Sequence, residues 1–167
     1  MNIVNRVSKW LMPLAVLLCL ASAPSQATSE LAVPPPAVKL SDNQVLKVYY
    51  FHGNARCTSC KLIEKYTKAA IEQGYQQSLQ QGLVELQMVN LESKGNDHYI
   101  DDFQLITRSV VLAVEQNGKV IEYRRLDAVW QLFTDEQKFT NYIYREIGVI
   151  TNNQVAMQAA HESVYHG

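Results

Sequence analysis

The stretch Val45-Leu-Lys-Val-Tyr-Tyr-Phe51, followed by His52-Gly-Asn-Ala-Arg56 and then Cys57-Thr-Ser-Cys60, decides how the rest of this chain is read. Apart from Lys47, its first part is apolar, β-branched or aromatic, which predicts a buried strand. From Thr58 to about Gln73, Leu62, Ile63, Tyr66, Ala69, Ala70 and Ile71 fall near helical spacing, with Lys and Glu on the remaining face. A strand that feeds a helix through a short loop delivers Cys57 to the helix N-terminus, where unpaired amides stabilise a thiolate. Arg56 adds a second positive charge beside it. The i,i+3 spacing puts Cys60 one turn along the same face, close enough to close a Cys57–Cys60 disulfide without moving the backbone. One thiolate that attacks and a neighbour that resolves the mixed disulfide is the chemistry of dithiol–disulfide exchange.

Working outward, Gly74 ends or bends the first helix before Tyr75 to Gln81. Leu83 to Leu91 alternates as a strand, and Asp97 to Leu105 reads as a short helix capped by Asn96 or Asp97. Ser109 to Glu115 is a second apolar strand, Asn117-Gly118 is a hairpin turn, and Lys119 to Arg124 pairs back. Thr134 is expected to cap a closing helix to about Ile147, with Phe139, Tyr142, Ile143 and Ile147 on one stripe. The order β-α-β-α-β-β-α over residues 44–149 predicts an α/β domain, a mixed sheet with helices on its two faces. Residues 28–43, with Pro34-Pro35-Pro36, read as an extended linker, and residues 150–167 as a polar tail, frayed or loosely helical.

The N-terminus carries Arg6 and Lys9, an apolar run from Trp10 to Ala23, and Ser25-Gln26-Ala27 at a small-x-small cleavage position. Residues 1–27 therefore read as a cleaved signal peptide, making the protein exported, and periplasmic in a diderm bacterium. Leu18 stands before Cys19 where lipidation wants a small residue, and Pro13 interrupts a run short for a spanning helix. Retention as an anchor stays open as the alternative, and only then is a membrane expected. Cleavage removes Cys19 and leaves Cys57 and Cys60 as the remaining cysteines of the three. It also removes two basic and no acidic residues, so the formal charge moves from −1 to −3, which argues against nucleic acid as a partner. About 140 residues remain, one domain with room for a core.

The run Tyr49-Tyr-Phe-His-Gly-Asn-Ala-Arg-Cys-Thr-Ser-Cys60 with Ile63-Glu64-x-Tyr66-Thr67 carries a resemblance. So do Asn90-Leu-Glu92, Leu105-Ile-Thr-Arg-Ser-Val110 and Leu126-Asp-x-x-Trp130. With the element order, these stretches make residues 39–149 resemble the thioredoxin-like superfamily, and within it the family named after a nitrophenyl-compound nitroreductase subunit, the ArsF family. The resemblance implies a small exported thioredoxin-like domain with Cys57 and Cys60 on the redox positions. Thioredoxins place a cis-proline before the strand that faces the dithiol. Here the equivalent stretch is Thr107-Arg108-Ser109-Val110, without proline, and a cis bond before a non-proline residue costs about 3 kcal/mol, so this loop is expected to be trans.

The leading expectation is an exported thiol–disulfide oxidoreductase acting on a protein dithiol or disulfide, with Cys57 attacking and Cys60 resolving. No organic cofactor and no metal are called for, because the reducing equivalents sit on the two sulfurs. His52 and Arg56 are the expected modulators, and the Arg108-Ser109 loop faces the dithiol, with Arg108 offering an anionic or carboxylate partner a place to dock. The alternatives are a static structural disulfide and, from another class, a binding or accessory protein. Two thiolates suit Cu(I), with His52 as a third ligand, and the missing proline favours such a role. A zinc site lacks the second Cys-x-x-Cys it needs. Tyr49, Tyr50 and Tyr66 read as core, Trp130 and Phe133 as cover for the sheet, His98, His161 and His166 as surface, and Lys61, Lys65 and Lys68 as a solvated helix face with Glu64.

Overall fold

The computed structural model describes residues 32–165. The expected signal segment, Cys19 and His166 lie outside these residues, and of His161 only the helical backbone is described. The elements are β1 (Gln44–His52), α1 (Thr58–Gly74), α2 (Gln76–Gln80), β2 (Val84–Asn90), α3 (His98–Asp102), β3 (Val110–Gln116), β4 (Lys119–Arg125), α4 (Val129–Leu132) and α5 (Glu136–Tyr165).

The strands form one sheet in the order β2-β1-β3-β4. β2 runs parallel to β1, from Leu46 beside Val84 to His52 beside Asn90, because α1 and α2 carry the chain back across the sheet between them. β3 and β4 are antiparallel neighbours joined at Asn117-Gly118, whose φ angles of 52° and 77° are the left-handed pair a two-residue hairpin turn requires. This is the mixed sheet flanked by helices that the pattern predicts.

Strand alternation divides the core between the two faces. Leu46, Val48 and Tyr50 of β1, with Val110, Leu112 and Val114 of β3, meet Ile63, Ala70 and Ile71 of α1 and Phe139, Ile143, Ile147 and Ile150 of α5. Tyr49, Phe51, Val111 and Ala113 point the other way, onto Phe103 and the half-buried Tyr99 and Tyr123. α3 is five residues long and covers only part of this second face. Beyond it opens a groove of about 700 Å³ lined by Lys47, Tyr49, Tyr99, Glu115 and Tyr123 among others. At its floor the Lys47 ammonium lies 2.9 Å from the Glu115 carboxylate, which also accepts a bond from the Tyr49 hydroxyl at 3.1 Å.

Three boundaries differ from the sequence reading. α5 continues to Tyr165, because Ile150, Thr151 and Gln154 in the supposed tail are buried; the Thr151 hydroxyl donates to the Ile147 carbonyl at 2.8 Å, and Gln44 donates to Gln154 at 3.3 Å. A stripe of small and polar residues is hard to read as a buried face, yet here it meets polar partners. The helix is capped by Asp135 rather than Thr134: its carboxylate accepts the Lys138 N–H at 3.0 Å, and that bond holds its pKa below the ordinary value. The linker, finally, lies along the domain. The Val33 N–H donates to Asn141 at 3.0 Å, and Val38 and Leu40 pack against the main core. At α3, neither expected cap forms: Asp97 makes no side-chain cap bond, and the Asn96 amide donates instead to the Asn90 carbonyl at 2.9 Å.

Candidate redox site

β1 ends at His52, and Gly53 to Arg56 carry the chain to Cys57, the N-cap residue of α1. Cys57 is extended (φ −70°, ψ 166°), and its sulfur accepts the Cys60 N–H at 3.2 Å, while its carbonyl accepts the Lys61 N–H at 3.0 Å. The sulfur thus takes the place that a serine or aspartate oxygen takes at other helix starts, facing the positive end of the helix dipole. Cys57 and Cys60 are joined as a disulfide with Cα atoms 5.1 Å apart. The two ends of this bond differ: Cys57 is exposed, and Cys60 is only 1% exposed.

Beneath the pair, Tyr50 is fully buried and its hydroxyl donates to the Cys60 carbonyl at 2.8 Å. Burial raises the pKa of this phenol, and the charges of Arg56 and Arg108 act in the opposite sense. Both guanidiniums therefore lie within electrostatic reach of the Tyr50 hydroxyl, from different loops. Arg56 pairs with Glu64 one helical turn past Cys60, and its buried Nε–H has no hydrogen-bond partner. Glu64 is thus the partner of Arg56 rather than of the lysines on its own helix.

The loop at Thr107-Arg108-Ser109-Val110, expected to face the dithiol, is pinned by its backbone. The Ser109 carbonyl accepts the Phe51 N–H at 2.9 Å, and the Arg108 carbonyl accepts the Trp130 indole N–H at 2.8 Å. Ser109 is wholly buried and its hydroxyl turns to the Leu126 carbonyl at 3.4 Å, so its part here is structural support. Every peptide bond among the described residues is trans, this loop included. Arg108 pairs with Glu92 at 3.2 Å, and the pair lies directly on Gly53: a Cβ there would stand 2.2 Å from the carboxylate and 2.5 Å from the guanidinium.

His52 is half-buried at the end of β1 with Nδ1 3.1 Å from the Gly53 carbonyl. A carbonyl only accepts, so that nitrogen carries the proton in this contact. Among the described residues no group of three His, Cys, Asp or Glu side chains is placed to hold a metal ion. His98 pairs with Asp102 at 2.7 Å, away from the dithiol on α3. Of the expected residues, Arg56 adjoins Cys57 in the chain, the Arg108 guanidinium lies on Gly53 four residues before it, Ser109 holds the backbone of β1 at Phe51, and His52 ends that strand. Sequence reading missed the roles of Tyr50, Gly53, Glu64, Glu92 and Trp130, although all five lie in the stretches that carry the resemblance.

A four-stranded sheet in the order β2-β1-β3-β4, with a disulfide at the start of the helix that follows its central strand β1, settles the architecture. The fold is thioredoxin-like. No protein-family model and no curated protein matches the chain. Among solved structures it is similar to thioredoxin O2 from Arabidopsis thaliana in the oxidised state, at 18% identity over 57% of this chain and 76% of that one, with a TM-score of 0.32. It is likewise similar to Trxlp from Edwardsiella tarda, at 15% identity over 54% and 80% of the two chains, with a TM-score of 0.35. A third is thioredoxin-2, described as a component of malaria parasite protein secretion machinery, at 12% identity over 61% and 97%, with a TM-score of 0.33. The thioredoxin-like assignment rests on the strand order and the position of the disulfide.

Proposed function

We propose that this protein is an exported thiol–disulfide oxidoreductase acting on protein partners. The observation that carries the reading is the unequal exposure of the disulfide, with Cys57 open and Cys60 buried. In the oxidising direction, a partner thiolate attacks the Cys57 sulfur, the Cys57–Cys60 bond breaks, and Cys60 leaves as the thiolate. The partner's second thiolate then attacks the mixed disulfide, and Cys57 leaves. Two electrons pass to the protein, and the two protons released by the partner's thiols balance those taken up by Cys57 and Cys60. The reverse sequence reduces a partner disulfide. The helix N-terminus and Arg56 favour the Cys57 thiolate in either direction. The basic, apolar and small residues of the N-terminus support export, periplasmic in a diderm source, and the stretches around Cys57, Glu92, Arg108 and Trp130 support membership of the ArsF family.

The test is exchange with a protein disulfide by the reduced protein. Cys57→Ser is expected to abolish turnover with an unchanged circular dichroism spectrum, and Cys60→Ser to accumulate a mixed disulfide through Cys57. Turnover retained by Cys57→Ser would sink the assignment.

A further inference from the structure

Two arginine–glutamate pairs lie on the segments around the disulfide, Arg56–Glu64 on either side of it in the chain and Arg108–Glu92 against Gly53 of the loop before it, and they differ in openness. In the Arg56–Glu64 pair the side chains are 27% and 26% exposed, and the carboxylate stands on a packed helix. In the Arg108–Glu92 pair they are 35% and 46% exposed, and Glu92 follows the end of β2 in a turn. The base of Arg108 is held: its carbonyl takes the Trp130 N–H, and the next carbonyl takes the Phe51 N–H. Its guanidinium, by contrast, lies against Gly53 of the loop that precedes Cys57, and among the described residues it is tied there only by a partly exposed ion pair. Such pairs are weak, so exchanging one carboxylate for another costs little. Beside them Thr107 is exposed and Ile106 is 79% exposed, leaving room for an incoming chain. The charge next to the dithiol is basic on balance, since exposed Lys61 follows Cys60 while each arginine is matched by one glutamate.

We propose that Arg108 is a specificity residue that selects partners carrying a carboxylate beside the reacting cysteine, the partner's carboxylate taking the place of Glu92. A guanidinium on a fixed backbone offers a planar fork of donors to such a group. This inference rests on the exchange reading and adds the partner's chemistry to it.

The experiment uses the reduced protein and two disulfide-bonded peptides, identical except for Glu or Gln beside the reacting half-cystine. The readout is the ratio of their kcat/KM values within each variant, in which any general loosening of the loop cancels. The wild-type protein is expected to favour the Glu peptide by about tenfold at low ionic strength, the preference shrinking as salt is added. Arg108→Gln is expected to bring the ratio near one, Arg108→Lys to keep part of it, and Glu92→Gln to raise it. An equal ratio in wild type and Arg108→Gln overturns the proposal, because the preference, if any, then belongs to Arg56 or Lys61. Failure of the wild-type protein to exchange with either peptide in both directions, as reductant of the disulfide form and as oxidant of the dithiol form, overturns the exchange reading itself, and the selectivity falls with it.

Discussion

Arg56 stands immediately before Cys57, the sulfur proposed to attack, and its buried Nε–H finds no acceptor among the described residues while the two cysteines are bonded to each other. Reduction would place a full negative charge on the neighbouring sulfur, so the oxidised state is the one in which this donor is worst served. Arg56→Gln is therefore expected to raise the pKa of the reduced Cys57 thiol, read as thiolate absorbance against pH; an unchanged titration would make Arg56 a partner of Glu64 and nothing more. The Cys57–Cys60 pairing was legible because the spacing and the strand-to-helix context put the two sulfurs within bonding reach. Tyr50 was not: it sits in an apolar run and packs as the run predicts, and only the folded chain shows its hydroxyl meeting the Cys60 carbonyl. Gly53 was equally silent, since its lack of a side chain matters only where Arg108 and Glu92 arrive from sequence-distant loops.

At the level of elements, α1 and α5 form the layer that holds the dithiol helix against the sheet, and their contact depends on a glycine. A Cβ on Gly74 would come within 2.4 Å of the Tyr144 hydroxyl and 2.8 Å of its ring, and Tyr144 is nearly buried and donates to the Ala70 carbonyl at 3.1 Å. An aromatic ring in a packed layer gives way less readily than the tip of an extended side chain. Gly74→Ala is expected to lower stability by about 1–3 kcal/mol despite the better helix propensity of alanine, measured as a lower urea midpoint. A rise in the midpoint would show that the ring relaxes freely. Periodicity located α1, the hairpin and both central strands, because apolar spacing and the Asn-Gly pair are local signals. It misplaced the cap of α5 by one residue, where Thr134 and Asp135 compete and the carboxylate is the stronger acceptor at a helix start.

Across the whole molecule, the domain extends beyond the limits its hydrophobic pattern marks. Residues 33–40 and 150–154 look polar or proline-rich in sequence, yet Val38, Leu40, Ile150, Thr151 and Gln154 complete the helix-covered side of the sheet. A chain ending at Val149 is expected to lose about 3 kcal/mol, on the scale of deleting one buried isoleucine, with denaturant unfolding as the measurement. Full stability in that shortened chain would return the domain boundary to the one read from the pattern. What sequence could not convey is that a glutamine such as Gln154 is buried with polar neighbours on β1 and β4, since burial of a polar group is decided by partners far away in the chain.

Trp130 closes a different kind of circuit. The chain has two tryptophans, Trp10 and Trp130, and Trp130 is the one among the described residues, its indole N–H bonded to the carbonyl of Arg108. Anything that shifts the Arg108 loop also shifts the polarity around that ring. Under the proposed function this ring is an optical probe built into the chain, and its ultraviolet emission is expected to change when a partner docks against the Arg108 loop, without an attached dye.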